Sequence, residues 1–174
     1  MNKNPATLDH AGIAARVPHA GRMCLLDTLL AWSDQHICCS ASSHQDPAHP
    51  LRSGGVLSAA CGIEYAAQAM ALHGGLMAGV DTGGAHGTTP PSAGFLASAR
   101  NVTLHVPRLD DVPGPLRIEA TRLAGDSGQA LYRFSLHADS GALLVEGRAT
   151  VVLNSPLAAP SIRSTPTPND SPNL

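Results

Sequence analysis

Aromatic residues are scarce in this chain, at 3% of 174 positions: Trp32, Tyr65, Phe95, Tyr132 and Phe134. Five scattered rings offer no stacking platform for single-stranded nucleic acid. Charge is scarce as well, at 14%, with Lys+Arg 11 against Asp+Glu 13 and a formal net charge of -2. No basic block is available for a phosphate backbone or an anionic membrane surface. No apolar run approaches the roughly 20 residues of a membrane-spanning helix. The segment Met1–Leu8 lacks the charged-then-apolar order of a secretion signal, so a soluble cytoplasmic protein is the expectation. Cysteine is limited to Cys24, Cys38, Cys39 and Cys61. None forms a C-x-x-C pair, and neither they nor the nine histidines have metal-site spacing, so no metal is expected. Reduced thiols acting as small hydrophobes are the plain reading.

What is present divides along the chain. Residues 1–16 read as a lead-in with one helical turn. Residues 22–32 are apolar and fit strand or helix equally. Gln35–Ser43 alternates as a short strand, with Cys38 and Cys39 on opposite faces. Residues 44–55 hold turn formers. Val56–Leu76 is Ala-rich and free of proline, which predicts one long helix with Gly74-Gly75 as its C-cap. Residues 77–93 read as a flexible connection. Gly94–Val106, Leu116–Leu123, Ala130–Ala138 and Leu143–Leu153 read as an antiparallel series, the first strand bent near Arg100-Asn101 and the next pair joined by a turn at Gly125–Gly128. Residues 155–174 carry five prolines and read as a disordered tail. The order predicts an α+β domain over 17–154, its antiparallel sheet wrapped around one buried helix.

Between Val56 and Leu72 the one charged side chain is Glu64, with Gln68 a turn later on the same face. A carboxylate on so apolar a helix is costly to bury unless paired, and desolvation favours its protonated form, as a general acid requires. A stripe emerging at the surface, a structural pair with an arginine such as Arg100, and a subunit interface are the alternatives. His44 and His49 lie in the preceding loop, close enough to set an imidazole beside the helix. Gly54-Gly55 allows close approach of a ligand to free N–H groups at the helix start.

Three segments resemble the hot-dog fold 3-hydroxyacyl-[acyl carrier protein] dehydratases, and more closely the dehydratase-like proteins of aryl-polyene and xanthomonadin-type pigment clusters. Pro18–Asp27 (PHAGRMCLLD) is similar to the family's P-H-x-x-P-x-L-L-x-D strand. His49–Gln68 is similar to its H-F-P-G-x-P-x-x-P-G-V-L-x-x-E-x-x-x-Q stretch, with one more residue between His and Glu. Asn101–Pro107 and Val112–Leu116 are similar to a later strand and its P-G-D-x-L turn.

The resemblance implies a hot-dog domain that removes water from a 3-hydroxyacyl thioester to give a trans-2-enoyl product. It gives His49 as base, with His44 the alternative if the loop is rethreaded, and Glu64 as acid. It places the thioester oxygen at the N–H groups of Gly55 and Val56, with Gln68 in support. No bound cofactor is implied, since substrate arrives on the phosphopantetheine of acyl carrier protein. Arg52 or Arg108 would meet that carrier. A homodimer, or a heterodimer with another hot-dog subunit, is expected, with histidine and acid from different chains. In the latter case this chain could supply a half-site or a non-catalytic subunit. Thioester hydrolysis is the competing chemistry. His19 reads as structural, at the mouth of an acyl channel, and His73, His86, His105 and His137 as structural or surface residues.

Overall fold

The computed structural model describes residues 7–81, 94–126 and 128–152. A short helix α1 (His10–Ala14), capped by the Asp9 side chain, precedes a 3-10 turn at Gly21–Met23. Strands β1 (Thr28–Trp32) and β2 (His36–Ala41) follow, then helix α2 (Gly62–Asp81). Strands β3 (Phe95–Leu104), β4 (Leu116–Gly125), β5 (Gln129–His137) and β6 (Leu143–Val152) complete one antiparallel sheet of order β1-β2-β4-β5-β6-β3.

The expected α+β architecture is the one observed. Period-2 alternation sends Ile37, Cys39, Leu116, Ile118, Ala120, Tyr132, Phe134, Leu136, Val145 and Val151 into one core with Tyr65, Ala66, Ala69, Met70 and Leu72 of α2. Small residues let the helix lie close to the sheet. A Cβ on Gly62 would sit 3.0 Å from Leu136 and 3.1 Å from Val145. The bend expected near Arg100-Asn101 is a break in the β3–β6 register, with Asn101 at φ 51. All four cysteines are free thiols, and burial pushes the Cys39 thiol up to about 12.

The helix bounds differ from those expected. Residues 56–58 are not helical, because tertiary bonds hold them extended. Leu57 N–H donates to Asp110 Oδ1 (2.8 Å), Ala59 N–H donates to Pro107 O (3.1 Å), and Ser58 bridges Arg108. Ser58 then caps a 3-10 turn, Ala59–Cys61, that leads into α2. At the other end α2 runs through Gly74-Gly75 to Asp81 rather than stopping there. Each helical glycine costs about 1 kcal/mol relative to alanine. Burial of Leu72 and His73 and packing of Leu76 against the core offset that cost. The first residues of the expected 77–93 connection are therefore helical. Its remainder, His86 and the 155–174 tail lie outside the described residues.

Candidate functional site

Glu64 sits in the first turn of α2, and two side chains converge on one of its oxygens. His19 Nε2 lies 3.0 Å from Oε1, and Gln68 Nε2 donates to the same Oε1 at 3.0 Å. Gln68 is fully buried, and both of its amide hydrogens are engaged. Its Nε2 also donates to Met23 O (2.7 Å), and its Oε1 accepts from Leu25 N–H (2.8 Å). The chain following α1 is thereby pinned to the helix, which brings His19 to Glu64. Both line a cavity of about 320 Å³, walled by Pro18, Ala67, Ala71, Phe95 and Leu96. Arg100 is not the partner of Glu64. His19, expected only at a channel mouth, does line this cavity but also contacts the acid. The Pro18-His19 pair of the family-like segment was the one signal available for it.

His49 points elsewhere. It is buried and stacked on Tyr65 with ring centroids 6.0 Å apart. Its Nδ1 accepts from Leu51 N–H (3.1 Å), so that nitrogen carries no proton. Its Nε2 lies 3.1 Å from Tyr65 Oη, which lies 2.8 Å from Ser43 Oγ, and Ser43 Oγ donates to Leu25 O (2.8 Å). A carbonyl only accepts, so the direction of the whole relay is fixed. His49 Nε2–H donates to Tyr65, Tyr65 to Ser43, and Ser43 to Leu25. Burial lowers the His49 pKa and raises that of Tyr65. His49 lines a second cavity of about 410 Å³ with His10, Arg22, Cys24, Asp27 and Ser43, and the two cavities share no lining residue. His44 is fully buried with Nε2 on Val112 O (3.1 Å), and burial lowers its pKa too. Within one chain, then, neither His49 nor His44 meets Glu64.

Gly55 and Val56 are not the start of the helix. They close an exposed turn, with Val56 N–H donating to Ser53 O (3.1 Å) and Gly55 at φ 78. The N–H groups that do open the helical segment are engaged by Pro107 and Ser58. Arg52 and Arg108 both bind Asp110, whose carboxyl the Arg108 guanidinium holds well below the usual range. Arg52 further donates to Gly55 O and His44 O, so it braces the 44–55 loop from within. Among the described residues no three of His, Cys, Asp or Glu group as metal ligands, and no helix is long and apolar enough to cross a membrane.

Comparison with known proteins bears on the fold and the family. The dehydratase heterocomplex ApeI:P from Xenorhabdus doucetiae shares 26% identity, over 81% of this chain and 90% of that one, with a TM-score of 0.69. A mutant of a hypothetical protein from Staphylococcus aureus shares the fold alone, at 14% identity over 72% of this chain and 90% of the other, with a TM-score of 0.50. No curated protein matches. Residues 11–160 match the ApeP-like family, described as ApeP dehydratase. With Glu64 presented to a cavity between α2 and β3 of a hot-dog fold, this chain belongs to the ApeP-like dehydratase family.

Proposed function

We propose that this dehydratase eliminates water from a 3-hydroxyacyl thioester carried on the phosphopantetheine of acyl carrier protein, giving a trans-2-enoyl thioester during aryl-polyene assembly. No bound cofactor takes part. The observation that carries the reading is Glu64, held by His19 and Gln68 at the wall of a largely apolar cavity. Elimination breaks the C2–H and C3–O bonds. The C2 proton passes to a neutral imidazole, the electron pair forms the C2–C3 double bond, and hydroxide leaves as water with a proton from Glu64. A positioned acid or base contributes about 10²–10⁴ in rate.

A second, unlike hot-dog subunit completes the site. The edge strand β3 supports this. It exposes Phe95 (38%), Leu96 (39%) and Leu104 (44%). Among the described residues no strand pairs with its outer side, and an edge of this length pairs readily with another chain. The opposite edge, β1, is covered in part by the Leu8–Leu29 bridge. Phe95 and Leu96 also wall the Glu64 cavity, so a subunit on β3 would finish that wall. Glu64 would then be met by the partner's imidazole, and His49, in the other cavity, would act as base beside the partner's acid once its Nδ1 is released from Leu51 N–H.

The test is intact-mass analysis of 3-hydroxyacyl carrier protein incubated with the chain, alone and with its co-expressed hot-dog subunit. Loss of the mass of one water is expected, reduced by Glu64→Gln and abolished when His49→Ala is added. Release of the whole acyl group would mean a thioesterase. No mass change with either preparation would refute the dehydratase assignment for this substrate.

A further inference from the structure

We infer that His19 is the positioning residue for Glu64, a neutral N–H donor that fixes which carboxyl oxygen carries the catalytic proton. The inference rests on Glu64 being the acid. It starts from Gln68, whose amide orientation is settled by its neighbours. Leu25 N–H needs an acceptor and Met23 O needs a donor, so Oε1 and Nε2 are placed without ambiguity. The second Nε2 hydrogen then points at Glu64 Oε1.

His19 Nε2 reaches that same Oε1 at 3.0 Å. Its other ring nitrogen, Nδ1, is buried without any partner. A proton on Nδ1 would be an orphaned buried donor, which is rarer and costlier than an unfilled acceptor. That disfavours a proton on Nδ1. His19 is therefore the Nε2–H tautomer, and it donates to Glu64. With two donors on Oε1, the acidic proton belongs on Oε2. After that proton is delivered, the carboxylate remains held by two N–H groups that were in place before the reaction, so little reorganisation is needed. The unprotonated Nδ1 is sealed from the cavity, which separates this role from that of the C2 base.

The experiment uses the complete complex, with His49→Ala in every preparation to silence the second site, and follows enoyl formation from 3-hydroxyacyl carrier protein. The variants are His19→Ala, His19→Gln and His19→Asn, with thermal unfolding as a control on folding. Gln places an amide N–H near the Nε2 position, whereas Asn falls short of Oε1. Loss of a preorganised donor costs about 10²-fold in kcat, with KM little changed. His19→Ala and His19→Asn are expected to show that loss. His19→Gln is expected to recover most of it and to keep the wild-type pH profile. Full kcat in a folded His19→Ala would overturn the inference, since Glu64 would not need the contact. Equal loss in the Gln and Ala variants, with a changed pH profile, would also overturn it by showing that the imidazole itself titrates. Glu64→Gln in parallel separates the two readings. A dead Glu64→Gln beside an unaffected His19→Ala sinks only the positioning role, whereas an unaffected Glu64→Gln sinks the acid assignment.

Discussion

Replacing Gln68 with leucine isolates the polar knot that joins the N-terminal segment to α2. The two side chains have similar volume, so little cavity is created. What changes is that Leu25 N–H, on a fully buried residue, loses its acceptor, and Met23 O loses its donor. A buried polar group left unpaired costs about 1–3 kcal/mol, so the two together cost up to about 6 kcal/mol, less where water reaches the half-buried Met23. That is a large share of a typical stability of about 5–15 kcal/mol. Equilibrium urea unfolding, followed by circular dichroism, would register it as a midpoint lowered by about 1 M or more. Gln68→Glu gives a sharper contrast. One oxygen still accepts from Leu25, but the other faces Met23 O and the Glu64 carboxylate. That variant should be destabilised at neutral pH and recover part of the loss as acid protonates the new side chain. A Gln68→Leu unfolding free energy within about 0.5 kcal/mol of wild type would refute the claim that these bonds hold the segment against the helix.

Two further outcomes follow from charges and protons. Burial lowers the pKa of His44, His49 and His73 below the ordinary 6.5, so the unfolded chain binds protons that the folded chain resists. Stability should be flat above about pH 6.5 and fall on acidification below it, by up to about 1.4 kcal/mol per pH unit for each histidine, as read by urea midpoints at successive pH values. A midpoint unchanged from pH 7 to 5 would contradict the neutral, buried assignment of these rings. On the outer sheet face Arg133, Arg148 and Arg100 are direct cross-strand neighbours, all exposed, and among the described residues none joins an ion pair. Like charges so placed are destabilising, so Arg148→Thr should raise stability by about 0.2–1 kcal/mol, most at low salt.

The parts of the fold legible in the sequence are those set by local pattern. Leu116, Ile118 and Ala120 alternate because one sheet face packs on α2 and the other meets solvent. The Ala-rich stretch reads as a helix because nothing in it breaks one. The bounds of that helix were not legible, since Asp110 and Pro107 hold residues 57–59 from far along the chain and a buried helix tolerates Gly74-Gly75. The same limit applied to the site. Glu64 stood out as a lone charge on an apolar helix, and Gln68 as its neighbour at helical spacing. His19 lies in a different segment, and no periodicity links it to Glu64. Only the fold makes them a pair. His49 matched a motif, but the Leu51–His49–Tyr65–Ser43 relay that engages both of its nitrogens has no sequence signature.

Glu64 and Tyr65 are consecutive, yet the helix turns Glu64 to one cavity and Tyr65 to His49 and Ser43, which line the other. This explains why one chain holds an acid and a loop histidine that do not meet. Turning α2 by one residue would bury Glu64 against His49 and Ser43, and it would expose Tyr65, which is fully buried. The separation is therefore fixed by core packing and not by the loop. A second subunit lying along β3 would close the Glu64 cavity and leave the His49 cavity to be met by its own acid. Two unlike chains would then make two unequal sites, one built around Glu64 and one around His49. The hold on Glu64, through His19 and Gln68, would suit a chain that brings the acid to the first site, set in place before the other subunit brings its base.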